Sequence, residues 1–232
     1  MTDKHNSRNG ALFALGASVF VLLVWAVYTL PTMTRAAKSR ANAETIYELS
    51  EVLEERWRDN GYAPSQREVA CWLVWIQTQD INERGLLWWA GFIDRESLGN
   101  PTSRPKCDSG QSRGTGSVKL GALEDHCIRA KRKMPARPGV ALYNPLFNIK
   151  VMITEVEFYC DGYASTALGK PYGTVKNADD FPMAWACVAY NSGCGEAERL
   201  RRRGVNPRFT FYRDVLERQA QIEEEVNRKR RR

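Results

Sequence analysis

The residues from Ala11 to Leu30 carry no charge, and the run closes at Pro31. No other feature of this 232-residue chain constrains its folding as strongly. At about 1.5 Å rise per residue, such a run in helical form covers the roughly 30 Å hydrocarbon core of a bilayer. A secretory signal core is shorter, about 7–15 residues, and ends in a small-residue cleavage site. Here the run ends in VYTLPT, with Trp25 and Tyr28 near its exit, where aromatic rings suit a membrane interface. The run therefore predicts one transmembrane helix over 11–30 in a single-pass membrane protein. Lys4 and Arg8 before it and Arg35, Lys38 and Arg40 after it are too evenly balanced to orient it. Gly16, Ala17 and Ser18 place small residues together, the composition that lets membrane helices pack closely. Pro31 marks a bend and joins them as a candidate helix-packing position.

Mean hydropathy over the whole chain is nonetheless negative, at −0.47, so the residues after Pro31 are largely polar. Ala43, Ile46, Leu49, Leu53 and Trp57 recur at helical spacing, and Asn60-Gly61 supplies a stop. This predicts a helical stalk over 31–60, continuous with the apolar helix. Ser65 and Glu68 have capping-box spacing, and Val69, Trp72, Leu73 and Ile76 form an apolar stripe behind them. Residues 99–121, rich in Gly, Ser, Pro and Thr, read as a long loop. Within it RGTGSVK lacks the spacing of a phosphate-binding loop. From Ile149 to Cys160 apolar residues alternate and switch parity near Thr154, which predicts a bulged strand ending at the Asp161-Gly162 turn. MAWACVAYNSG predicts a second strand. Asn206 and Pro207 predict the start of a terminal helix with Phe211, Val215, Ile222 and Val226 on one face. The predicted fold is α+β: a tail at 1–10, the membrane helix at 11–30, the stalk at 31–60, a small mixed helix and sheet head at 61–204, and a charged, basic helix at 205–232.

Net charge is +7, with visible excess in RLRRRG (Arg199–Gly204) and NRKRRR (Asn227–Arg232). Such runs fit a solvated helix end, an acidic partner or anionic lipid; nucleic acid is disfavoured as a partner. Six cysteines, Cys71, Cys107, Cys127, Cys160, Cys187 and Cys194, are candidates for disulfides, with buried free thiols as the alternative. No CxxC pair exists, which argues against a metal site, and no cofactor is expected. Glu124, His126 and Cys127 lie close in sequence, but sequence neighbours do not make a Cys–His dyad. Glu155 and Glu157 read as solvated positions on one strand face. Nothing in the sequence points to an enzyme.

The order of features in residues 1–65 resembles type IV pilins and the pseudopilins of type II secretion. Gly10 matches the last leader residue, Pro31 the helix proline, and Asp59-Asn60-Gly61-Tyr62 with Pro64-Ser65 the turn that closes the stalk. The chain departs at Leu15, where that family usually has an acidic residue, and at Ala11, which replaces a phenylalanine. The resemblance implies a non-enzymatic structural or assembly subunit of the bacterial inner membrane, with a disulfide-bonded, β-rich head outside the cytoplasm. Its partners would be lipid and other membrane subunits, reached through the helix and the head. The alternative is an accessory subunit anchored in a larger membrane complex, with an organellar membrane also open.

Overall fold

Ile46, Leu49, Leu53 and Trp57 do lie on a helix, but that helix is core rather than stalk. The computed structural model describes residues 42–58, 64–80, 84–104, 111–168 and 180–232. It divides into a unit of Met1–Thr45, of which only 42–45 are described, and a unit of Ile46–Arg232. The first described helix, α1, covers 42–57. Within the larger unit it sinks Leu49, Val52, Leu53 and Trp57 into the main hydrophobic core. Then come α2 (Gln66–Gln79), α3 (Leu86–Ser97), β1 (Ser112–Arg113), β2 (Val118–Lys119), α4 (Leu120–Arg129), α5 (Pro138–Ala141), α6 (Pro145–Leu168), α7 (Asp180–Ser192), α8 (Cys194–Arg202) and α9 (Phe211–Arg230). Ser65 caps α2 through the reciprocal box with Glu68.

The α+β expectation is corrected. Among the described residues the protein is helical, with one two-stranded antiparallel hairpin pairing Ser112 with Lys119 and Arg113 with Val118. The predicted strand over 149–160 is the middle of α6, and it runs through Asp161-Gly162 without turning. The parity switch has a helical cause. Leu146, Thr154 and Phe158 are exposed and Lys150 half-buried, one narrow line every four residues, while nearly every other side chain from Asn148 to Cys160 is buried. A helix buried on all other sides shows no clean amphipathic period and passes for a strand. The second predicted strand is α7, buried from Met183 through Tyr190. The terminal helix begins at Phe211, because Asn206 and Pro207 shape a separate 3-10 turn over Pro207–Phe209.

The membrane expectations are corrected as well. Among the described residues no helix is long and apolar enough to cross a membrane, which conflicts with a single-pass membrane protein. The stretch 11–30 lies outside the described residues, as do Gly16, Ala17, Ser18 and Pro31. The disulfide expectation fails too: Cys71, Cys127, Cys160, Cys187 and Cys194 are free thiols, and Cys107 lies outside the described residues. A helical head with free thiols is not the disulfide-bonded, β-rich head of a pilin.

Three helices are locked together by one carboxylate. Asp94 on α3 has a fully buried side chain. It accepts hydrogen bonds from Arg56 Nε at 2.9 Å and Nη2 at 3.0 Å, and from Trp57 Nε1 at 2.8 Å. Arg56 also donates to Glu225 at 2.7 Å and Gln221 at 2.9 Å on α9, so α1, α3 and α9 share one network. Asp94, with Glu225, raises the Arg56 pKa against the opposing effect of burial. Beside it α3 and α9 touch backbone to backbone: a Cβ on Gly91 would stand 2.9 Å from Gln219 N and Val215 O. A second polar centre fixes the hairpin. Asn148 on α6 donates to Arg113 O at 2.8 Å and Leu142 O at 2.9 Å, and accepts from Gly116 N at 2.7 Å. Tyr190 donates to Gly116 O at 2.7 Å. The turn of the Gly-rich segment is thus a buried plug whose peptide groups are met by side chains, as a buried turn requires.

Gly91→Ala is predicted to lower unfolding free energy by about 1–3 kcal/mol in urea denaturation, the usual cost of overpacking against backbone. Gly162→Ala, on α6 with no atom within 4 Å of its new Cβ, is predicted to stabilise by about 0.5–1 kcal/mol.

Candidate basic interface

The two basic runs at 199–203 and 228–232 are largely matched by the chain's own acids. On α8, Arg199 pairs with Glu196, and Arg201 and Arg202 with Glu198. Arg201 first, then Arg202, hold the Glu198 carboxyl down to about 2. On α9, Arg228 pairs with Glu224, Lys229 with Glu51 and Glu55 of α1 at 2.9 and 2.8 Å, and Arg230 with Glu48. The acidic face of α1 is therefore the partner of the C-terminal helix. Arg203, Arg231 and Arg232 stand at the ends of the two runs.

A different segment keeps most of its charge uncompensated among the described residues. Between Asp125 and Glu155 there is no acidic residue, and Arg129, Lys131, Arg132, Lys133, Arg137 and Lys150 all fall in that interval. Arg129, in the last turn of α4, reaches the fully buried carboxylate of Glu155 on α6 and lies 4.0 Å above the Phe158 ring. That pair ties α4 to α6. Lys131, Arg132, Lys133, Arg137 and Lys150 form no ion pair among the described residues.

The loop has a defined shape. Lys131 N–H donates to Ile128 O at 3.1 Å and Arg132 N–H to Cys127 O at 2.8 Å, the two bonds of a Schellman stop. Lys131 takes the left-handed position of that motif at φ 51°, where glycine is the usual residue. A lysine there costs about 1–2 kcal/mol of backbone strain relative to glycine. The motif turns Arg132 back over the end of α4. Apolar residues stand among the cations: Ile128 is 68% and Val140 61% exposed, on α4 and α5, which pack together. Leu146 and Phe158 add exposed apolar area on α6.

His126 lies buried under this surface, on α4. Burial first, then Arg129, Lys150 and Arg132, push its pKa below 6.5, so it is neutral at physiological pH. Its Nδ1 is buried with no hydrogen-bond partner among the described residues. Cys127 beside it is also buried. Glu124 is exposed, so it stands apart from the buried His126 and Cys127. Among the described residues no cluster of His, Cys, Asp and Glu has the makings of a metal site.

The other candidates are structural. Glu155 and Glu157, expected on a solvated face, are buried and paired with Arg129 and Arg84. Arg84 also donates to Cys160 Sγ at 3.3 Å, yet burial dominates and pushes that thiol up to about 12. A groove of about 220 Å³ between α6 and α8 is lined by Phe158, Tyr159, Tyr163 and Cys194 among others. Burial pushes both phenols up to about 12, with Cys194 the next cause, so neither serves as a base near neutrality. Comparison with protein-family models, curated proteins and solved structures finds no match to the chain.

Because folding lowers the His126 pKa, the unfolded chain binds this proton more readily. The contribution of neutral His126 to stability is present above pH 6.5 and is lost as pH falls below 6.5, levelling off below the folded-state pKa. Thermal melts across this window are predicted to show a steeper loss for the native chain than for His126→Gln.

Proposed function

We propose that this protein is a non-enzymatic subunit that docks an acidic protein partner through α4, the loop 130–137, α5 and the first turns of α6. The observation that carries this reading is the acid-free interval from Cys127 to Thr154, whose cations other than Arg129 form no ion pair among the described residues, while most of those on α8 and α9 are matched. Exposed Ile128 and Val140 interleave with the cations. A surface built for phosphate backbone needs cations alone, whereas protein interfaces combine an apolar centre with a charged rim. The strained Lys131 fits the same reading, since it keeps a cation where glycine would be more stable. The groove and the buried thiols offer no nucleophile with an activating base, and support a binding role over catalysis.

The test is fluorescence anisotropy with a labelled synthetic peptide of Glu and Leu, alongside an all-Glu peptide and a DNA duplex of matched charge. The mixed peptide is predicted to bind best. Lys131→Gln, Arg132→Gln and Lys133→Gln combined are predicted to weaken it about tenfold, as loss of several exposed charge contacts implies. Arg231→Gln with Arg232→Gln is predicted to leave it unchanged. Tighter binding to the duplex, or equal loss from the C-terminal substitutions, overturns the proposal.

A further inference from the structure

One arginine outside the acid-free interval reaches the same surface and is held in place by its neighbours. Arg113 opens the RGTGSVK segment. We propose that its guanidinium, clamped between Gly139 of α5 and the Tyr143 ring, is the anchor that takes one carboxylate of the acidic partner end-on, with exposed Val140 beside it receiving an apolar neighbour of that acid. This anchor presupposes the docking reading and supplies its selectivity for a carboxylate.

The backbone of Arg113 is fixed first. Arg113 pairs with Val118 across the hairpin, and its carbonyl accepts from Asn148 Nδ2 at 2.8 Å. Gly114 follows at φ 76°, and a Cβ there would collide with Leu142 O, so glycine lets the turn seat against the end of α5. Two contacts then direct the side chain. A Cβ on Gly139 would stand 2.9 Å from Arg113 Nε and 3.5 Å from Cζ, so the bare backbone of α5 lies directly against the guanidinium. On the other side Cζ lies 5.9 Å from the centroid of the Tyr143 ring, within cation–π range. Nη1 donates to the Tyr143 hydroxyl at 3.1 Å. Tyr143 is tied to α5 in turn, its N–H donating to Val140 O at 3.0 Å.

What remains of the guanidinium calls for an anion. Nε is buried with no partner among the described residues, and the half-buried Arg113 forms no ion pair among them. The chain supplies no acid nearby in sequence either, since residues 109–123 contain none. Nη2 has no partner among the described residues and stays open to solvent, so with the second hydrogen of Nη1 it forms a free edge. A planar carboxylate fits two parallel N–H groups of that kind. Lys131, Arg132 and Lys133 are exposed, so each loses rotamer freedom when it makes a contact. Arg113 has given up much of that freedom in the free protein, and a preordered arginine beside an aromatic ring has the character of a binding hot spot. The two kinds of cation therefore differ in role: the loop steers the approach, and Arg113 holds the bound acid.

The experiment uses the full chain and the Glu and Leu peptide, with a Gln and Leu peptide as the uncharged control. The Arg113 Nε–H signal, followed by NMR, is expected to shift saturably with the first peptide and to stay in place with the control. Stopped-flow anisotropy then separates the rates. Arg113→Lys keeps the charge but lacks the fork, and is expected to weaken binding about tenfold through faster dissociation, with association nearly unchanged. Gly139→Ala keeps every charge and displaces Nε; it is expected to speed dissociation about threefold or more. Lys131→Gln, Arg132→Gln and Lys133→Gln combined are expected to show their loss as slower association. If the native chain binds the Glu and Leu peptide but its Arg113 signal is unmoved, or moves equally with the control, the anchor is overturned and the docking reading stands. Dissociation unchanged in either variant that folds, Arg113→Lys or Gly139→Ala, has the same consequence. Absence of peptide binding by the native chain rejects the docking reading itself.

Discussion

The Asp94 carboxylate is the point on which the larger unit turns. A fully buried charge is tolerable only when strong donors surround it, and here Arg56 and Trp57 from one helix both reach it. Arg56 is in turn held from the far side by Glu225 and Gln221. One charged network thereby fixes how α1 and α9 lie on α3. The same registration brings Glu48, Glu51 and Glu55 opposite Lys229 and Arg230. The C-terminal cations are matched because α1 is anchored, and α1 is anchored because Asp94 is buried.

This arrangement sorts the positive charge of the chain into two kinds. Cations on helices that also carry acids three or four residues away find partners on their own helix, as Arg199, Arg201, Arg202 and Arg228 do. Cations in the loop after α4 have no acid within reach in sequence or, among the described residues, across the fold; Arg129, just before the loop, is the one held by Glu155. The free electrostatic surface therefore lies where the basic runs are less conspicuous. Lys131 at a left-handed backbone position is consistent with a loop shaped for more than connection.

Parts of this fold are legible in the sequence, and the rest is hidden for physical reasons. The capping box at Ser65 and Glu68 and the stripe behind it need only local spacing. The core residues of α9 also come from period alone. Helices α6 and α7 do not: each is buried on most of its circumference, so the polar face that betrays a helix is missing. The hairpin reads as loop because its stability comes from Asn148 and Tyr190, far away in sequence. Glu155 and Glu157 look like surface because their partners, Arg129 and Arg84, lie on other elements. The basic interface does leave a signal, the acid-free interval from Cys127 to Thr154. It is masked by the denser runs at 199–203 and 228–232, whose charge the fold largely neutralises.

In the proposed function, the exposed, unmatched cations of the loop after α4, with half-buried Lys150 of α6, are the groups this protein presents to an acidic partner. The most direct measurement is a residue-resolved amide chemical-shift map of the full chain on addition of the Glu and Leu peptide. The account predicts perturbations concentrated from Ile128 to Lys150, with Glu48, Glu51, Glu55 and the last turns of α9 unmoved. Perturbations centred on the last turns of α9 and the acidic face of α1 would contradict it.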